Sequence, residues 1–160
     1  MNYEKLDQIV ASYREELLGK LKTWIAIPSV QAPKSADSAP FGPEVRRMLD
    51  LFLEDAREMG FDVREFDGYA AHAQMGAGDK TMGILAHLDV VPAGDGWVHG
   101  AFGGEIENGQ LYGRGVTDDK GPALGALFAM RAVQEAGIPL KHRVRLIAGC
   151  DEETGMSDMR

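Results

Sequence analysis

Over the first 25 residues, Leu6, Ile9, Val10, Tyr13, Leu17, Leu18, Leu21, Trp24 and Ile25 recur at steps of three and four, which places side chains on one face of a helix. The pattern predicts one amphipathic helix over 3–25, lying on the domain surface with one stripe inward. SVQAPKSADSAPFGP at 29–43 ends in a proline suited to the first turn of a second helix, predicted over 44–59 and stopped by Gly60. FDVREF from Phe61 and YAAHAQM from Tyr69 have the look of short strands. TMGILAHL from Thr81 is nearly unbroken apolar sequence, which suits a strand covered on both faces. A glycine-rich region follows over 94–121. PALGALFAMRAVQEAG at 122–137 has a proline near its start and a glycine at its end, as a helix does, and HRVRLIAGC from His142 is a second candidate interior strand. Helices alternating with apolar strands predict an α/β layer arrangement.

Composition narrows the partners. The 160 residues are 44% hydrophobic and 26% charged, as in an ordinary globular domain. A formal net charge of -8 argues against nucleic-acid or anionic-membrane surfaces, which need clustered Lys and Arg, and favours small peptides, other small molecules or cations. The lone Cys150 cannot form an internal disulfide, and MNYEKLDQ lacks the basic-then-apolar profile of a signal peptide, so a cytoplasmic location is expected. No apolar run approaches the roughly 18 residues of a membrane span.

Candidate chemistry lies where apolar runs end. In GILAHLDVVPAGDGW at 83–97, His87 and Asp89 stand two apart. In extended chain they share a side, so Asp89 can accept one ring N–H and leave the other nitrogen for a metal. Taken alone, a histidine at a strand end is more often a satisfied structural group. In LYGRGVTDDKGPALGA at 111–126, glycines lead into Asp118 and Asp119 before a helix. A dinucleotide fingerprint fits poorly, because Asp118 replaces its third glycine and two negative charges would face a pyrophosphate. A phosphate-binding lysine loop fails too, since Gly121 rather than Ser or Thr follows Lys120. Helix capping accounts for one of these carboxylates, not comfortably for both. In RLIAGCDEETGM at 145–156, an apolar strand runs into Asp151, Glu152 and Glu153, which by itself suggests a solvated loop. Together the three segments fall where open α/β sheets place ligands, outside the carboxyl ends of strands. Clustered carboxylates repel one another and hold protons unless a cation lies among them, and His with Asp and Glu suits zinc.

At AHLDVVPAGDGW, LYGRGVTDDKGP and CDEETG, the sequence resembles the co-catalytic zinc metallopeptidase family of dipeptidase V, carnosinases, succinyl-diaminopimelate desuccinylase and aminoacylases, most nearly the dipeptidase V branch. The resemblance runs from about Thr81 onward. It implies that His87 and Glu153 bind one zinc, that Asp118 bridges to a second, and that Asp89 orients the His87 ring. It implies Glu152 as the general base that takes a proton from a metal-activated water and passes it to the departing amine, the two ions lying about 3.5–4 Å apart. A non-prolyl cis peptide between Asp118 and Asp119 is also implied.

The family pattern further implies that 1–160 is the N-terminal portion of an α/β/α catalytic domain, a mixed sheet flanked by helices. On that expectation the chain is truncated: it lacks the lid and dimerisation domain and the later acid and histidine of the second metal site. The expected function is amide cleavage in dipeptides. Alternatives are N-acyl amino acid deacylation or desuccinylation, or an inactive remnant that binds metal weakly or associates with another chain. The cofactor is expected to be zinc, with manganese or cobalt as substitutes, and the oligomeric state is open. His72, His99 and His142 match no family position and are expected at the surface. WVHGAF at 97–102 departs from the family's Asp-Pro-Phe.

Overall fold

The computed structural model describes residues 3–159. Its elements are α1 (Tyr3–Ser12), α2 (Arg14–Ile25), α3 (Pro43–Glu58), β1 (Asp62–Phe66), β2 (Ala70–Met75), β3 (Thr81–His87), β4 (Glu105–Glu107), β5 (Gln110–Tyr112), α4 (Lys120–Glu135) and β6 (Arg143–Gly149), followed by a short 3-10 turn at Ser157–Met159. The main sheet has the order β1-β2-β6-β3. β1 and β2 pair antiparallel, as do β2 and β6, while β3 runs parallel to β6. The sheet is therefore mixed, and the fold is α/β as expected.

Alternation decides which face is covered. Ala71, Ala73, Leu146 and Ala148 are buried and lie on one side of the sheet, where the register pairs Ala71 with Ala148 and Ala73 with Leu146. Against that side α3 packs on β1 and β2 and α4 on β3 and β6, with α1 and α2 lying on α4. The core they share includes Trp24, Ile25, Met48, Leu49, Phe52, Leu124 and Leu127. The opposite side carries Arg64, Phe66, His72, Arg145, Ile147 and Leu85.

The structure departs from the predicted elements in four places. The single helix expected over 3–25 is two helices. The chain breaks at Tyr13, whose N–H reaches Val10 O at 3.2 Å before Leu17 N–H resumes the helical pattern on Tyr13 O at 2.8 Å. The break lets the Tyr13 ring, 5% exposed, pack on Phe128 with centroids 5.3 Å apart. Full burial of the inward stripe is consequently confined to α2, while Leu6 and Ile9 of α1 pack half-buried against the core. Second, β3 is not covered on both faces among the described residues: it is an edge strand with Leu85 69% exposed. β6 is the interior strand, as predicted. Third, the glycine-rich region contains the hairpin β4–β5, turned by Asn108 and Gly109 at φ 51° and 79°, the conformation an Asn-Gly pair adopts most readily. Fourth, α4 begins at Lys120, two residues before Pro122. No helix among the described residues is long and apolar enough to cross a membrane.

Candidate metal centre

The parallel register pairs His87 with Gly149, so β3 and β6 end side by side and release their following residues into the same crevice. His87 and Asp89 leave β3, Asp151, Glu152 and Glu153 leave β6, and the start of α4 brings Asp118 and Asp119 across the top. Ligand atoms of His87, Asp118 and Glu153 all lie within 4.8 Å of one another. His87 Nε2 is 3.0 Å from Asp118 Oδ1 and 3.8 Å from Glu152 Oε2.

Asp89, 1% exposed, has a wider role than holding the imidazole. His87 Nδ1 lies 3.1 Å from the Asp89 backbone oxygen and 3.4 Å from its Oδ1, so the nearer acceptor is the main chain. The carboxylate itself accepts the backbone N–H groups of Glu152 at 3.2 Å and Glu153 at 3.0 Å. It therefore ties the turn bearing the two glutamates to the strand bearing the histidine. That turn is closed from the other side: Asp158 accepts from the N–H groups of Cys150 at 2.6 Å and Asp151 at 2.9 Å, and Asp151 accepts from Ser157 N and Oγ.

Asp118 and Asp119 are joined by a cis peptide, as the family resemblance implied. Asp119 holds the N-cap position of α4 without a side-chain capping bond. Its Oδ2 instead accepts the His87 N–H at 3.1 Å. Helix capping thus explains neither carboxylate, and Asp119, which the sequence reading treated as a neighbour only, is a bond between the first two segments.

Electrostatics fit a cation. Burial acts to lower the His87 pKa, but hydrogen bonds to Asp89 and Asp118 and the charges of Asp89 and Asp119 outweigh it, holding the ring up at about 9. Glu153 is raised by burial and then by Asp118, with His87 opposing, and Asp119 is raised mainly by burial. An imidazole that draws a proton among carboxylates marks a pocket of negative potential, and a divalent ion satisfies the same demand with the ring neutral. The donor set of one imidazole nitrogen and two carboxylates suits zinc and tolerates manganese or cobalt. Beside it lies a cavity of about 240 Å³ whose lining includes Leu85, His87, Asp119, Glu152, Met156 and Met159.

Lys120 is fully buried. Its Nζ donates to Trp24 O at 3.0 Å and Ile27 O at 2.6 Å. Burial pushes its pKa down to about 7 against the charges of Asp89 and Glu44. The other histidines lie apart: His72 beside Phe66, His99 paired with Glu105 at 3.0 Å, and His142 exposed. His72 and His99 are half-buried rather than fully at the surface.

These features define a class: an α/β chain with a ligand set for a divalent cation at the carboxyl ends of its strands. Residues 83–160 match the profile of peptidase family M20/M25/M40. A Bacillus subtilis (strain 168) relative that bears a dipeptidase name, YtjP, is 42% identical over 142 residues, 88% of this chain and 31% of its own length. A Beta-Ala-Xaa dipeptidase from Lactobacillus delbrueckii subsp. lactis is 39% identical over 156 residues, 96% of this chain and 33% of its own. The solved structure of human carnosine dipeptidase 1 superposes with a TM-score of 0.83 at 28% identity, covering 98% of this chain and 36% of that one. The chain thus spans about a third of the length of the relatives it matches.

Proposed function

We propose that this chain forms part of the catalytic domain of a metal-dependent hydrolase that cleaves the amide bond of dipeptides. The observation that carries the reading is the convergence of His87, Asp118 and Glu153 from three separate segments, within the stretch that matches a peptidase family. His87, Asp118 and Glu153 would hold a divalent cation, zinc in our reading. The Asp118 side chain is 74% exposed, and Asp118 would be the ligand shared with a second ion. Bound metal supplies Lewis acidity, which makes a water molecule acidic near neutral pH and polarises the scissile carbonyl.

The chain's own groups do the rest. Asp89 and its backbone oxygen hold the His87 ring so that Nε2 faces the crevice. Glu152, half-exposed and 3.8 Å from that nitrogen, is the general base that accepts the water proton and returns it to the leaving amine. The adjacent glutamates divide the work with both amides fixed by Asp89: Glu153 offers an oxygen to the ligand set, and the Glu152 carboxylate stands beside it, 3.8 Å from His87 Nε2. Small peptides are the substrate class.

Elemental analysis tests the ligand set. The wild-type chain is expected to retain zinc, Glu153→Ala to lose it, and Glu152→Gln to keep it. In a protein that shows chelator-sensitive dipeptide cleavage through this site, Glu152→Gln is expected to abolish it. Equal zinc content in wild type and Glu153→Ala overturns the assignment.

A further inference from the structure

The irregular segment 27–31, which follows α2, touches all three ligand-bearing segments. Ser29 is fully buried. Its Oγ donates to Leu88 O at 2.7 Å, and its carbonyl accepts the Val90 N–H at 3.0 Å. Leu88 stands between His87 and Asp89, so Ser29 grips the histidine segment on both sides of Asp89. Gln31 Nε2 donates to Asp151 Oδ1 at 3.1 Å, next to Glu152. The carbonyls of Ile27 and Trp24 receive the Lys120 ammonium, which lies two residues beyond Asp118.

The fit around Lys120 is close. A Cβ on Gly115 would stand 3.1 Å from Lys120 Cδ and 3.1 Å from Val90 Cγ1, and one on Gly121 would collide with Val116 O. Only glycine lets the 115–121 turn wrap the lysine stem. The three contacts are chemically independent: a hydroxyl to a carbonyl, an amide to a carboxylate, and an ammonium to carbonyls at the end of a helix, where negative partial charge gathers.

We infer that Ile27–Gln31 is a brace that sets the spacing of the metal ligands, with Ser29, Gln31 and Lys120 as positioning residues. This rests on the proposed metal site. The polar contacts of Ser29 and Gln31 lie outside the apolar core, to which this segment contributes Ile27, so removing those contacts one at a time is expected to leave the core packed. What changes is the relative placement of segments whose ligand atoms must meet around one ion. Outer groups that orient ligands typically matter by about 10–100-fold in metal affinity, and the brace is expected to fall in that range.

The experiment measures cobalt(II) affinity by competition with a fluorescent chelator, together with the visible cobalt spectrum and a thermal melt of the metal-free chain. Ser29→Ala and Gln31→Leu are each expected to weaken cobalt binding about 10-fold or more and to alter the spectrum, with the metal-free fold retained. Lys120→Gln, which keeps a donor without charge, is expected to do the same. Phe61→Leu, which removes core packing next to Asp62 at the opposite end of the sheet from the site, is expected to lower the melting temperature and leave cobalt affinity within about twofold of wild type; a loss of affinity there as large as in Ser29→Ala overturns the inference by showing that any destabilisation suffices. If Ser29→Ala fails to fold, Gln31→Leu decides. Wild-type binding matched by the Ser29 and Gln31 variants overturns the brace alone. Failure of the wild-type chain to bind cobalt overturns the metal-site reading and the brace with it.

Discussion

Replacing Asp89 by alanine separates its two connections. The carboxylate is buried and accepts two amides, from Glu152 at 3.2 Å and Glu153 at 3.0 Å. Hydrogen bonds to charged groups are each worth about 1.5–3 kcal/mol, so the pair contributes about 3–6 kcal/mol before compensation. The Glu152 side chain is 47% exposed, and water can reach the freed amides of the turn. Rehydration reduces the expected loss to about 2–3 kcal/mol, a fall of roughly 4–12 °C in melting temperature for a domain of this size. The larger consequence is for the metal. With Asp89 gone, the Glu153 ligand is no longer tied to the strand that carries His87, and affinity for zinc is expected to fall about 10–100-fold. Asp89→Asn keeps one acceptor oxygen and turns an N–H2 toward the other amide, so it falls between alanine and wild type. Chelator competition and differential scanning calorimetry on the three chains provide the readout. An Asp89→Ala chain that melts and binds zinc like wild type refutes the idea that this carboxylate couples the two segments.

Two further outcomes concern groups away from the metal ligands. Asp55 accepts the buried Trp24 indole N–H at 2.6 Å and pairs with Lys20 at 2.5 Å, so Asp55→Asn, which keeps an acceptor, is expected to cost about 1–3 kcal/mol in denaturant unfolding, and Asp55→Ala, which strands the indole, about 1–3 kcal/mol more; equal stabilities for the two variants contradict this. Burial, then Arg145 and Arg64, lower the His72 pKa below its ordinary value, so the folded chain resists protonation there. The unfolded state binds the proton more readily, and stability present above pH ~6.5 is lost as pH falls through the ordinary histidine range. His72→Gln is expected to flatten that limb of the stability profile between about pH 7 and 5, as read from urea midpoints; an unchanged limb shows that His72 does not contribute to it.

Much of the site was legible in the sequence because metal chemistry restricts residue type and strand ends restrict position. His87, Asp118 and Glu153 lie in runs whose apolar-to-polar switch marks the carboxyl end of a strand or the start of a helix, and the structure brings them within 4.8 Å. The β4–β5 hairpin was not legible despite its Asn108-Gly109 turn, because three-residue strands flanked by glycines leave no periodicity long enough to count. The break at Tyr13 left no such mark. A tyrosine that continues a three-four pattern looks like any other helical position, and only the Phe128 ring across the interface requires the chain to turn there. The edge placement of β3 was hidden for the opposite reason: an apolar run reports what the strand can bury, not what lies beside it.

The groups that position the ligands were illegible for a physical reason that bears on how such sites work. Ser29, Gln31 and Lys120 act through main-chain carbonyls or through a carboxylate remote in sequence, and a backbone acceptor leaves no residue-type signature. Ligands are chosen by the ion, so their identity is constrained wherever they occur. Positioning groups are chosen by geometry, and many donors serve if they reach. A serine in a Pro- and Ala-rich stretch therefore carries no signal until the fold places it against Leu88. In the proposed arrangement, accuracy at the metal site depends on a segment some 60 residues before Leu88, in the part of the chain with the least evident chemistry. The ligands can be present in the right order and still bind metal poorly if that segment is altered.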